Sequence, residues 1–335
     1  MTLTTIGDQS QLFLTRRQTA ALRADLKRLS QELSTGRLAS PGTRTSGDVA
    51  HVLGIERGLT ALTAYRTANA EAAQFTATAQ AALGGIQGIV RSLGPALVAA
   101  APLASSTSLA ASAADARGKF AAAVGALNTQ TAGRSVFAGA AADRPPLVDA
   151  GAMLAGLQGA IGGQTTAAGI ASVVDDWFSL PAGGFETTAW QGSGPAPAFR
   201  VAQGEDASAG ITAADPDLRA VLKGLALASL VDTPGLAADV AEQAKLSSIA
   251  GSALIGADER LTMMRAGLGA TEARIETLSA RQSAEKTALE MAEASFTVAD
   301  PYETASALQA VSGQLEAIYT VTARLSRLSL TEYLR

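Results

Sequence analysis

The 335-residue sequence contains no cysteine and only one histidine, His51. Without cysteine there is no disulfide, no thiolate metal site and no cysteine nucleophile. A single histidine also rules out a histidine-only metal cluster and most histidine-dependent hydrolase sites. His51 stands early in a helical stretch with no catalytic partner residues around it, so it reads as a structural or exposed helix histidine. Aromatic residues are 4% of the chain. No run approaches the roughly 20 apolar residues of a membrane span, the longest candidate, "LGPALVAAAPLA", being short and twice interrupted by proline. The opening "MTLTTIGDQS" lacks the charged and apolar regions of a Sec signal. Arg16, Arg17, Arg23, Lys27, Arg28, Arg37 and Arg44 imitate a transit peptide, but Asp8, Asp25 and Glu32 among them argue for a solvated helix face. With a net charge of -4 there is no global attraction to nucleic acid.

What is abundant is alanine and leucine, within a hydrophobic share of 47%. That mixture suits long, closely approaching helices, and the pattern predicts a mostly α protein. Leu12, Thr19, Leu26 and Leu33 share one heptad position while Thr15, Leu22 and Leu29 share the other, giving a narrow coiled-coil-like seam that stops at Gly36, Pro41 and Gly42. A second helical region opens near Gly47 and is interrupted at Gly94-Pro95, and a third covers roughly 105 to 132. From Gly133 to about Ala214, glycine and proline become frequent and both tryptophans, Trp177 and Trp190, appear. "RSVFAG" and "PAFRVAQG" there read as strands, so this part is a β-containing insert.

Helix signals resume at Asp215-Pro216, an N-cap followed by proline in the first helical position. Residues 236 to 297 carry the longest helical pattern, with Leu261, Leu268, Ile275, Gln282 and Leu289 alternating with Met264, Thr271, Leu278, Glu285 and Ala292. The polar Gln282 and Glu285 weaken that seam locally and set register at a cost in stability. Asp300, Pro301 and Glu303 form a second start signal of capping-box type. The helix after it has the seam Leu308, Val311, Leu315, Ile318, Thr322 and Leu325, continued by Leu328, Leu330, Tyr333 and Leu334. Each buried leucine contributes only about 1.5 to 3 kcal/mol, against roughly 1 to 2 kcal/mol per ordered residue, so a narrow pair of terminal helices with threonine in its seam is marginal alone. It docks on the main body or is completed by other copies of the chain.

The order of these elements resembles a known family. "LSTGRLASPGTRTSG" is similar to a Leu-Ser-x-Gly-x-Arg motif followed by a proline turn. "LTAYRTANAEAAQFTATAQAAL" is similar to the next helix, with Tyr65, Asn69 and Leu83 in matching order. "GRSVFAGAAADRPPL" resembles a Phe-Ala-Gly and Pro entry into an outer domain, and "LEAIYTVTARLSRLSLTEYLR" a C-terminus with Leu-Ser-Leu and a late Tyr-Leu. These stretches resemble the superfamily of bacterial flagellin and hook-associated protein 3. The resemblance covers nearly all of the helical part and is weak over 145 to 212. The reduced acidic content after the proline turn, where only Asp48 stands, and the absence of an Asn-x-x-x-Leu-Leu ending favour a junction protein over filament flagellin.

The resemblance implies residues 1–41 plus 300–335 as a terminal coiled-coil inner domain, 46–135 plus 215–297 as a helical middle domain, and 140–212 as a β-rich outer insert. It implies a structural adaptor at the hook-filament junction, secreted by type III export with an uncleaved N-terminal signal. Its partners would be further copies in a ring or tube, hook-associated protein 1, flagellin and an export chaperone, with no nucleic acid and no membrane. The expected assembly interface is Leu12, Leu22, Leu26, Leu29, Leu33, Leu308, Val311, Leu315, Ile318, Leu325, Leu328, Leu330, Tyr333 and Leu334.

Three other readings stand beside it. Filament flagellin belongs to the same superfamily. A coiled-coil tail or adhesin component needs no flagellum. An enzyme housed in the insert would use Asp175-Asp176 or Glu205-Asp206, although adjacent residues project to different sides of a helix or strand. No phosphate loop, zinc spacing or calcium loop is present, so no cofactor is expected.

Overall fold

The computed structural model describes residues 6–40, 50–103, 105–195, 198–208 and 210–333, and in the terminal helices it describes side chains at 10 and from 13 to 324. The chain is mostly helical. In order it forms α1 (Ile6–Thr35), α2 (Ala50–Ala100), α3 (Ser106–Leu127), the short strands β1 (Gln130–Thr131) and β2 (Arg134–Ser135), α4 (Ala150–Ala160), α5 (Ala167–Ser179), β3 (Ala198–Ala202), β4 (Glu205–Ser208), α6 (Pro216–Ser229), α7 (Val240–Thr297) and α8 (Pro301–Tyr333). Two compact units result, one of residues 1–62 with 283–335 and one of residues 63–282. The first therefore takes in 50–62 and 283–297 as well as the terminal helices.

The second unit has one continuous core. Phe75, Leu83 and Val90 of α2, Phe120 and Val124 of α3, Leu222 and Leu225 of α6, and Leu254, Leu261 and Leu268 of α7 all belong to it. Helix α2 is, among the described residues, the one helix long and apolar enough to cross a bilayer, and 44% of its most apolar window is buried in the protein. Contacts pair rising positions on α2 with falling ones on α7, so the two run antiparallel: Asn69 with Gln282, Gln80 with Arg265, Gln87 with Asp258. Gly94 and Gly251 let them touch, since a Cβ on Gly251 would lie 2.7 Å from the Gly94 carbonyl oxygen. Arg265 links Gln80 (2.9 Å) and Gln87 (2.5 Å), and Arg91 pairs with Asp258 at 3.0 Å.

Two expectations are corrected here. Helix α2 continues through Gly94-Pro95 instead of being interrupted. Proline inside a helix costs about 3 kcal/mol, but Leu93 and Leu97, flanking it, are 3% and 2% exposed. Burying each contributes about 1.5 to 3 kcal/mol, enough to carry the helix past the defect.

The insert, expected to be rich in strands, is mainly helical. Asp149 Oδ2 accepts from the Gly151 amide (2.8 Å) to start α4, and Thr166 Oγ1 accepts from the Gly169 amide (3.2 Å) to start α5. Its sheet content is the antiparallel β3–β4 hairpin, with Phe199 opposite Ala207. Met153, Leu157, Ile170 and Trp177 join the same core as the long helices. Trp177 meets Phe178 at 4.7 Å and lies over Gly184, where an added Cβ would collide with the indole.

Candidate assembly surface

The first unit places α1 against α8. Helix α1 ends because Gly36 takes a φ of +67° and donates its amide to the Glu32 carbonyl at 2.8 Å, the left-handed turn that glycine adopts without strain. The chain then pairs with the turn between α7 and α8: the Leu38 amide donates to the Thr297 carbonyl (2.8 Å) and the Ala299 amide to the Gly36 carbonyl (3.0 Å). Arg37 reaches Glu293 at 3.1 Å. Glu32, 4% exposed, accepts from the Ala39 amide at 3.0 Å and from Arg28 at 3.3 Å. The stretch Leu33 to Leu38 is thus a clasp between the end of α1 and the turn that leads into α8. Asp300 Oδ1 completes it by accepting from the amides of Tyr302 (2.8 Å) and Glu303 (3.1 Å). Glu32 and Glu293 are absent from the sequence-derived seam. The signal for Glu32, a carboxylate one residue before the heptad Leu33, reads in sequence as a solvated charge.

Of the expected interface residues, Leu29 and Leu315 are buried, at 7% and 9% exposure. Leu22, Leu26, Leu308, Val311 and Ile318 are half-buried, and Leu33 is exposed. The side chains of Leu12, Leu325, Leu328, Leu330 and Tyr333 lie outside the described residues, as does Leu334 altogether. Arg23 donates to the Tyr319 hydroxyl at 2.6 Å across the pair. Between the helices an open groove of about 520 Å³ is lined by Gln18, Ala21, Leu22, Gln314, Ala317 and Ile318.

Among the described residues this unit holds nine of the fifteen exposed large hydrophobics although it is the smaller of the two: Phe13, Leu14, Leu33, Leu53, Met291, Val298, Tyr302, Tyr319 and Val321. Phe13 is 66% and Val321 56% exposed. Isolated surface apolar residues are ordinary, and their concentration on one helical unit makes that unit the candidate for a contact surface. Its other helical segments, at the start of α2 and the end of α7, bury Val52, Ile55 and Leu62. His51 is exposed there, its ring edge-on to Phe296 at 5.3 Å.

Three of the four candidate carboxylates of the insert, all but Asp176, are engaged by cations. Asp175 pairs with Lys223, Glu205 with Arg274 at 2.7 Å, and Asp206 with Arg200 at 3.0 Å. Glu242 accepts from the α5 amide of Ala167 at 2.7 Å and from Lys245 at 2.6 Å. The Lys245 bond first, and the Ala167 amide second, hold its carboxyl below the ordinary glutamate range.

The family model of the bacterial flagellin C-terminal helical region matches residues 253–334, which here form most of α7 and α8. Among solved structures, FlgL of Bacillus cereus is similar with a TM-score of 0.50 and 17% identity, covering 72% of this chain and 100% of that one. A putative flagellar hook-associated protein from Vibrio parahaemolyticus matches with a TM-score of 0.47 and 13% identity, over 73% of this chain and 96% of that one. No curated protein matches the sequence. Residues 253–334 thus carry a flagellin C-terminal helical region, and the fold of the chain is similar to that of FlgL.

Proposed function

We propose that this protein is a structural subunit of the bacterial flagellum, an adaptor at the hook-filament junction that is exported by the type III route and assembles through its terminal helices. The observation that carries the reading is the flagellin C-terminal helical region in α7 and α8, joined to a two-helix pair whose apolar surface is only partly covered. Subunit contact then supplies what the α1–α8 pair lacks, because burying the rest of that surface orders helices that are marginal alone. Leu22, Leu26, Leu29, Leu33, Leu308, Val311, Leu315 and Ile318 form the assembly seam, with Leu12, Leu325, Leu328, Leu330, Tyr333 and Leu334 continuing it. Neighbouring copies, hook-associated protein 1 and flagellin are the partners, and an export chaperone covers the chain before secretion.

The test is Leu315→Asp in a strain that makes this chain as its sole copy. Secreted protein that is missing from isolated flagella is the expected result. Normal filaments on that variant sink the proposal. Long filaments grown by the purified wild-type protein on added seeds would make it a flagellin.

A further inference from the structure

The chain has no cysteine, so its thioethers are the side chains that peroxide oxidises most readily. Met153 is 1% exposed in the core of the second unit, and Met264 is half-buried against the same core. Met263 and Met291, both on α7, are instead 75% and 65% exposed. One helical turn to either side of Met291 stand Thr287, Ala288, Ala294 and Ser295, side chains too short to lie over its sulfur. Leucine has nearly the same helix propensity and volume, so neither helix formation nor apolarity by itself calls for a thioether at these places.

Met291 belongs to the first unit and to the exposed apolar set on which the assembly reading rests. Peroxide changes its chemistry in one step. The sulfur lone pair attacks one oxygen of hydrogen peroxide, the O–O bond breaks, and the departing hydroxide takes the proton of the transferred oxygen to leave as water. Sulfur is oxidised by two electrons, and an apolar side chain becomes a polar sulfoxide. Any contact that then buries the side chain must strip water from a strong acceptor.

We propose that Met291 is a redox-sensitive contact residue, oxidised by peroxide in the free chain and, as the sulfoxide, keeping that chain out of the assembled structure. The inference rests on the assembly reading above and adds regulation to it. Return to the thioether uses a methionine sulfoxide reductase, in which two thiols supply the electrons and protons, become a disulfide, and release the oxygen as water. Met263, as open but in the second unit, is oxidised by the same reagent.

Full-length protein treated with hydrogen peroxide and mapped by mass spectrometry should show Met263 and Met291 oxidised ~10-fold faster than Met153, since susceptibility follows exposure. Equal rates at all three overturn the assignment. In isolated flagella Met291 should react ~10-fold more slowly than in the free chain, its sulfur being covered by the contact. An unchanged rate overturns its place there. Oxidised wild-type protein should join flagella ~10-fold less well than reduced protein, and the reductase should restore it. Met291→Leu keeps the volume and removes the sulfur, so the peroxide-treated variant should join as reduced wild type does. A loss as large in Met291→Leu as in wild type overturns the switch and leaves the assembly reading standing. Reduced wild-type protein absent from flagella overturns both.

Discussion

Gln282 sits in the apolar row of α7 and is 4% exposed. Its Oε1 accepts from Asn69 Nδ2 of α2 at 2.7 Å, and its Nε2 donates to the Val201 carbonyl of β3 at 2.7 Å. One amide thus ties two helices and the hairpin together, which is what a polar residue in a seam can do that leucine cannot. Replacing it leaves two buried groups unpaired, so Gln282→Leu should lower stability by about 1 to 3 kcal/mol despite its greater apolarity. A fall in the urea midpoint with an unchanged slope checks this. An unchanged or higher midpoint would show that the network carries no net stability. The Asn69 Oδ1 atom is buried without a partner, so Asn69→Leu removes one unsatisfied acceptor while creating another at Gln282, and its cost should be the smaller of the two.

Glu242 acts at the level of an element, as the acceptor for the first amide of α5. Its carboxyl titrates lower in the folded chain than its ordinary value near ~4.3. The contribution is therefore fully present above that value and is lost as pH falls through the lowered folded value. Lys245, whose ammonium is held above its usual range chiefly by Glu242, loses its partner in the same window. Glu242→Gln should flatten the acid-side slope of thermal stability and leave the profile above pH ~6 parallel to wild type. An identical acid slope in both proteins would remove the role.

Helix pairing makes a second demand on α7. Gly251→Ala puts a methyl 2.7 Å from the Gly94 carbonyl oxygen, and backbone cannot swing aside as a side chain can. A loss of about 1 to 3 kcal/mol is expected from calorimetry or denaturant unfolding. Wild-type stability would mean that the helices separate at no cost.

At this scale the sequence was readable where local chemistry decides the outcome. Asp215 caps α6 through the Asp217 amide at 3.0 Å, and Asp300 starts α8. It misled where packing overrides local preference, as at Pro95, and where small residues conceal helices, as in "AGAMLAGLQGA", whose glycines weaken helical propensity that burial of Met153 and Leu157 restores. The heptads identified Leu29 and Leu315, but periodicity tells which residues share a face and not how much of that face a neighbour covers. The exposure of Leu33 and the burial of Glu32 were beyond it for that reason.

The whole molecule divides its burial unevenly. Residues 63–282 hold a continuous core in which Leu83, Phe120, Leu222 and Leu261 are fully covered, whereas among the described residues the best-covered leucines of α1 and α8 keep 7% and 9% of their surface. A fragment of residues 63–282 should fold alone and melt in one cooperative transition, because a shared core of this kind is what makes unfolding all-or-none. Circular dichroism of that fragment is the check, and a non-cooperative melt would mean its core depends on the flanking segments.

The bond between Asn69 and Gln282 also spans 213 positions of sequence. A chain made from its N-terminus outward therefore holds α2 long before the strand of helix that completes it exists. The loop must be closed across almost the whole unit, and closure at such sequence distance slows folding. Until α7 arrives, the apolar row of α2 from Phe75 to Leu97 has no long antiparallel mate, and the chain stays open, threadable and in need of protection for most of its synthesis.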